Sequence, residues 1–315
     1  MQIIDFTVAH IEQAAKIAKQ NYETQRGFIP TLPPIKTTPD LMPFAENNFG
    51  VAAFDGNTML GFLCCRNPWD DAWSIPGLRH VFSPMGANGT IPENRTKIYA
   101  GLYQAAAAKW VSRGIGSHGI CLYAHDTMGQ SLFFKYGFGK RTVDAIRDID
   151  EIIAPLCNEY ILSELEPENI LNILPLDNLH VSDYIDSPFF MYRESCREEK
   201  FLKDYHEFKP IYFVARKEGQ IVAYIKAECG GETFIQDTPG YLHCTGLYCL
   251  PEHRGKGIGQ NLLNLLLQKL KTQNYTRLGV DFESINPLGS KFWEKYFETY
   301  TYGVVRRIDE SAVIL

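Results

Sequence analysis

Hydrophobic positions along this 315-residue chain fall into two patterns, alternation typical of half-buried strands and the three-to-four spacing of a helix face. The order of these patterns occurs twice. The first half opens with strand-like IIDFTV and then helical HIEQAAKIAKQNYETQ; the second offers YILSELE and then PENILNILPL. Each half continues with two β-rich runs around a turn, at residues 49–65 and 211–228, where Asp55-Gly56 and Glu218-Gly219 supply hairpin chemistry. Each closes with a strand (HGICLYA, RLGVDF), a short aromatic helix (SLFFKYGFG, KFWEKYFETY) and a strand ending VDAIRDIDE or VVRRIDE. The offset of about 160 residues is too long for a solenoid and fits a duplicated domain. Proline and lost periodicity around residues 152–160 place the join there, giving domains of 1–155 and 158–315.

One stretch departs from simple patterning. YLHCTGLYCL has strand composition, and GIGQNLLNLLLQKLK puts Ile258, Leu262, Leu266 and Leu270 at helical spacing. The turn between them, with Arg254, Gly255, Lys256, Gly257 and Gly259, is therefore a helix start. Its first N–H groups lack intrahelical partners and the macrodipole is positive, so an anion is the natural ligand. Glycines there keep Cβ atoms away from the amides, and Arg254 and Lys256 add cations suited to a diphosphate. A Walker loop does not fit, and Gln260 breaks Gly-x-Gly-x-x-Gly.

Bulk composition narrows the field. The length favours two domains of roughly 150 residues, and 45% hydrophobic with 22% charged residues is ordinary for globular proteins. Neither a secretory leader nor a run of about 20 apolar residues is present, so a soluble, cytoplasmic protein without a membrane partner is expected. The eight cysteines are scattered without CxxC or zinc-like spacing, which predicts reduced core thiols and no metal. A net charge of −6 argues against a nucleic-acid partner and suits a cationic substrate.

Arg-x-x-Gly-x-Gly following a strand and Pro251 resembles the pyrophosphate motif of the GNAT superfamily of acyl-CoA-dependent N-acetyltransferases, here LPEHRGKGIGQNLL. NPLGSKFWEK at 286–295 is similar to that family's second motif. The resemblance implies an α/β (α+β) fold of two GNAT-like domains, each a mixed, mostly antiparallel central sheet flanked by helices. It implies acetyl-CoA as cosubstrate, its diphosphate on Arg254, Gly255, Lys256, Gly257, Ile258 and Gly259. The pantetheine arm would pair with the backbone from Leu247 to Cys249 like an added strand, which leaves the side chains free to vary. Asn286 would reach the same arm. In the first half, ENRTKIYAGLYQ keeps Arg95 but has Ile98 and Ala100 in the glycine positions, so that half is expected to be degenerate and either to shape the acceptor pocket or to serve as a structural partner. Its NPWDDAW, residues 67–73, reads as a solvated loop with two packed tryptophans, or as an amine-holding cluster.

Acetyl transfer to an amine needs a neutral nucleophile, a stabilised oxyanion and a proton for the departing thiolate. By position in the family pattern, the Leu247 N–H is the oxyanion donor. His243, on the strand before the turn, is the expected base; the alternative is an ordinary hydrogen-bonded strand histidine. The family's usual acid, a tyrosine, is Trp293 here, and indole is no proton donor of use. Tyr296, one turn on, shares its helix face and is the replacement. His253 reads as packing at the helix start. The acceptor is a small-molecule or peptide amine. A CoA-binding sensor or scaffold without turnover, and a tRNA-dependent aminoacyl transferase, are the alternatives.

Overall fold

The computed structural model describes residues 1–231 and 233–313. The chain divides into two compact units, Met1–Asp144 with Thr299–Leu315, and Ala145–Glu298. The first is built from β1 (Gln2–Asp5), α1 (Ile11–Phe28), α2 (Met42–Glu46), β2 (Val51–Asp55), β3 (Thr58–Leu63), β4 (His80–Ser83), β5 (Asn88–Thr90), α3 (Arg95–Val111), β6 (Ser117–Tyr123), α4 (Thr127–Lys135) and β7 (Gly139–Asp148). The second follows with β8 (Ile161–Glu164), α5 (Leu174–Asp183), α6 (Glu198–Phe208), β9 (Ile211–Lys217), β10 (Gln220–Glu228), β11 (Tyr241–Cys249), α7 (Ile258–Thr272), β12 (Arg277–Glu283) and α8 (Pro287–Tyr296). The chain then returns with β13 (Glu298–Arg307) and α9 (Glu310–Val313). The fold is mixed α/β, with mostly antiparallel strands flanked by helices.

In the first unit β1-β2-β3-β5 form an antiparallel sheet, while β4 lies parallel to β6. The last strand of the chain belongs here. Thr301–Arg307 of β13 pair antiparallel with Tyr123–Ser117 of β6, and β7 lies on its other side. The buried Thr301 hydroxyl donates to Asp144 at 2.6 Å. The sequence reading assigns everything from residue 158 to one domain, and the structure differs for residues 299–313. The alternation of β13 defines a strand but not which edge it joins.

Second-unit strands run β12-β11-β10-β9-β8, with β11 and β12 the parallel pair. The β9–β10 turn is the expected one, Glu218 and Gly219 both left-handed at φ 52° and 83°. Helix α7 buries Ile258, Leu262, Leu266 and Leu270 as its spacing predicts. On the other side of the sheet α5 and α6 pack through Leu176 and Phe201 against Tyr212, Val214, Tyr224 and Tyr248.

Two expectations about side chains need adjusting. All eight cysteines are free, but only Cys64, Cys65, Cys121 and Cys244 are buried, and Cys229 is exposed. In NPWDDAW, Trp69 and Trp73 pack edge-on against His80 at 4.5 and 5.1 Å, and Arg141 covers Trp73 at 4.5 Å. That cation already occupies the Trp73 ring face. No helix among the described residues is long and apolar enough to cross a membrane, and no cluster of histidine, cysteine or acidic side chains there could hold a metal.

Candidate active site

The site begins where two strands part. β11 and β12 pair only from Tyr241↔Arg277 to Cys244↔Val280. β11 continues to Cys249 against β10, with a bulge at Thr245 where Lys226 pairs with Gly246 and Ala227 with Cys244. Past Cys244, the β11 edge that faced β12 has lost that strand partner, and a cavity of about 520 Å³ opens in the fork. Leu247 and Cys249 line it.

At the open end of the fork lies the start of α7. Gly255 and Gly257 are left-handed at φ 77° and 79°, a conformation costly to any residue with a Cβ. The first helical bond runs from the Asn261 N–H to the Gly257 carbonyl at 3.1 Å, so the preceding amides have no backbone acceptor. The three glycines serve different needs. A Cβ at 255 would meet open space, one at 257 would stand 2.5 Å from Pro155 Cγ, and one at 259 would touch Phe292 at 3.2 Å.

Among the cations the structure redistributes roles. Arg254 is an internal brace: its Nε donates to the Cys249 carbonyl at 2.8 Å and its Nη2 to Asp183 at 3.1 Å. Lys256 remains exposed, and Lys291 and Lys295 line the cavity from α8. Those two lysines stand four apart, a helical spacing readable in the sequence but not singled out above. Asn286 lines the cavity as the N-cap of α8, its Oδ1 accepting from the Leu288 and Gly289 N–H groups at 3.1 and 2.8 Å. Only its Nδ2 is left for a ligand. Ile258 faces the same space while largely buried.

The expected catalytic residues separate. Tyr296 lines the cavity, half-buried, its ring 5.2 Å from Phe292, with the buried Trp293 beside it. His243 does not line it: the ring is 1% exposed and held between two partners. Its Nε2 lies 2.7 Å from Asp281 Oδ1 and its Nδ1 3.2 Å from the Tyr241 hydroxyl. Asp281 is the member of this chain that reaches the cavity. His253 also lines the cavity, bonded to the Tyr160 hydroxyl at 3.0 Å.

The wall the sequence reading missed is α5. His180, Asp183 and Tyr184, at i, i+3 and i+4, all face the cavity, with Phe189 beyond them. His180 stacks on Tyr248 at 5.0 Å and pairs with the Tyr224 hydroxyl at 3.1 Å, which donates to Asp177. Burial lowers the His180 imidazole to about 4, so it is neutral near pH 7. The Tyr184 hydroxyl is pushed up, first by burial and then by the charges of Glu283, Asp281 and Asp183, against the opposing pull of Arg193.

The first unit closes the equivalent fork. Asn88 bridges it, its Nδ2 donating to the Cys121 carbonyl and to Ser83, both at 3.1 Å, while the Tyr99 hydroxyl donates to its Oδ1. Arg95 is consumed by Asp126 at 2.8 Å and Asn21 at 2.6 Å. Ile98 is buried, as its side chain requires.

A forked parallel pair opens here onto a glycine-rich helix mouth, and residues 178–297 match the Acetyltransferase (GNAT) family. That segment contains the whole cavity lining. No curated protein matches the chain. Among solved structures it resembles a GCN5-related N-acetyltransferase from Sphaerobacter thermophilus, with TM-score 0.58, 11% identity, and 97% of this chain and 95% of that one covered. It also resembles the glucosamine N-acetyltransferase region of a fungal multi-domain β-N-acetylglucosaminidase, with TM-score 0.52, 14% identity, and 96% of this chain and 38% of that one covered. At such identities the likeness is one of fold.

Proposed function

We propose that the protein is an acetyl-CoA-dependent N-acetyltransferase of two GNAT-like halves, with the reaction confined to the second and a primary amine as acceptor. The observation that carries this is the edge of β11 that β12 leaves past Cys244, leading to the first amides of α7, which precede its first helical bond. Acetyl-CoA, when bound, supplies the acetyl thioester. The amides around Gly255–Gly259, with Lys256 beside them, take the diphosphate, and the edge from Leu247 to Cys249 takes the arm by strand-like pairing. The Leu247 N–H serves as oxyanion donor and the Tyr296 phenol as proton donor to the thiolate. His243 acts on the acceptor only through Asp281. The acceptor is a small-molecule or peptide amine and the setting cytoplasmic; the net charge of −6 disfavours a tRNA-dependent reaction.

Two measurements test the reading: acetyl-CoA binding by calorimetry, and thiol release from acetyl-CoA across a panel of primary amines. Binding with amine-dependent release supports it. Binding without release from any amine leaves a CoA-binding sensor, and absence of binding removes both.

A further inference from the structure

Three carboxylates gather around the Tyr184 ring at the base of the fork: Asp183, Asp281 and Glu283. Two already have a cation. Asp183 holds Arg254 at 3.1 Å, and Glu283 holds Arg193 at 2.9 Å, whose guanidinium lies 3.9 Å over Tyr184. Asp281 has an imidazole instead. Three carboxylates against two guanidiniums leave one negative charge, and it falls on the residue lining the cavity just past Val280, the last position of β12 paired with β11.

The position of that carboxylate is built, not incidental. With Nε2 of His243 donating to Asp281, Nδ1 is left to accept from the Tyr241 hydroxyl. Tyr241 and His243 are two apart on β11, and Gly279 and Asp281 two apart on β12, so all four share one sheet face. A Cβ at Gly279 would lie 1.6 Å from the Tyr241 hydroxyl oxygen and 3.0 Å from His243 Nδ1. The strand therefore gives up a side chain in its interior, where glycine is unfavourable, to seat the phenol. Both the tyrosine and the histidine are buried, while the Asp281 side chain is 38% exposed. A fixed donor behind Asp281 Oδ1 leaves Oδ2 for the cavity.

What it meets there is set by the neighbours. Tyr184 and Phe189 lie 4.9 Å apart at the same end of the cavity, whereas Lys291 and Lys295 line it from α8. The Asp281 end is acidic and aromatic. We propose that Asp281, oriented by the buried Tyr241–His243 pair, is the counter-ion for the ammonium of a primary amine carried on an aromatic body that packs against Tyr184 and Phe189. His243 is then a positioning residue. This deepens the acetyl-transfer reading and rests on it.

The test uses the full chain loaded with CoA, titrated with 2-phenylethylamine and with its uncharged isostere 2-phenylethanol. The wild type should prefer the amine by about tenfold or more, the effect of one charge-assisted hydrogen bond. In Asp281→Asn, which keeps the size and the acceptor for His243, the preference should collapse to about twofold with acetyl-CoA affinity unchanged. His243→Ala should lose the same preference and His243→Gln, which retains an N–H donor, should recover part of it. Equal binding of the two probes by the wild type, binding of neither, or a preference that survives Asp281→Asn overturns the proposal. Acetyl-CoA affinity is measured first, so a wild type that binds none removes the acetyl-transfer reading itself, whereas failure at the amine step removes only the role of Asp281.

Discussion

Gly257 illustrates how a residue can be singled out for an incomplete reason. In the sequence its lack of a Cβ reads as access for a phosphate; in the structure its left-handed φ of 79° and the 2.5 Å approach of Pro155 require glycine before any ligand arrives. A β-branched residue at 257 will thus lose fold and binding together. Gly259 separates the two, because it has no left-handed φ and its Cβ meets only Phe292 at 3.2 Å and Leu247 at 3.6 Å. Gly259→Val is expected to leave the melting temperature within a few degrees, since about 1 kcal/mol shifts a domain of this size by roughly 2–4 °C. Acetyl-CoA affinity should fall by about tenfold or more, because branched methyls cover the amides that the anion needs. Calorimetry beside thermal melting checks this, and unchanged affinity would sink it. His243 shows the reverse limit: spacing located it on the right strand, but alternation cannot say that Asp281 of another strand stands between it and the cavity.

At the level of elements, what was legible is what has strong local periodicity. Helix α7, the β9–β10 hairpin and the glycine turn follow from their own residues, and the first and last of these line the cavity. The α5 wall does not, because α5 buries only Leu176 and presents the rest to neighbours and cavity, so its pattern lacks a clean apolar stripe. The comparison of forks carries a prediction. In the second unit β11 is one strand with a bulge; in the first its place is taken by β4 and β5, separated by residues 84–87, and Asn88, Tyr99 and Arg95 satisfy one another or the backbone across the gap. An anion there would have to displace Asp126 from Arg95, a pair whose side chains are 6% and 12% exposed. One acetyl-CoA should therefore bind per chain, and a calorimetric stoichiometry near two would contradict it. Arg95→Gln should not open a second site but destabilise the first unit by about 3–5 kcal/mol, the scale for leaving a buried carboxylate uncompensated.

Over the whole molecule, the order of strands and helices was legible in the sequence, whereas the allegiance of the final strand was not, since pairing partners are a long-range property. In the first unit β13 lies between β6 and β7, so ending the chain at residue 297 should abolish that unit's cooperative melting, which circular dichroism would register. Acid should also destabilise the protein before its carboxylates protonate. Burial lowers His80 to about 4, His118 to about 3 and His180 to about 4, all below the usual value of about 6.5 for an unfolded chain. Between those limits the unfolded state binds protons that the folded state refuses, so stability is complete above about pH 6.5 and declines as pH falls toward 4. Each such histidine steepens the decline by up to about 1.4 kcal/mol per pH unit. Urea midpoints measured from pH 7.5 down to 5 should fall steadily, over a range where ordinary carboxylates are still ionised. His118→Gln removes one of these titrations, and although it sacrifices the 3.1 Å bond to Tyr103 and lowers stability at every pH, its curve should be shallower than the wild type's. A wild-type midpoint that is flat from pH 7 to 5, or a variant of identical slope, would mean that these imidazoles take up protons without unfolding.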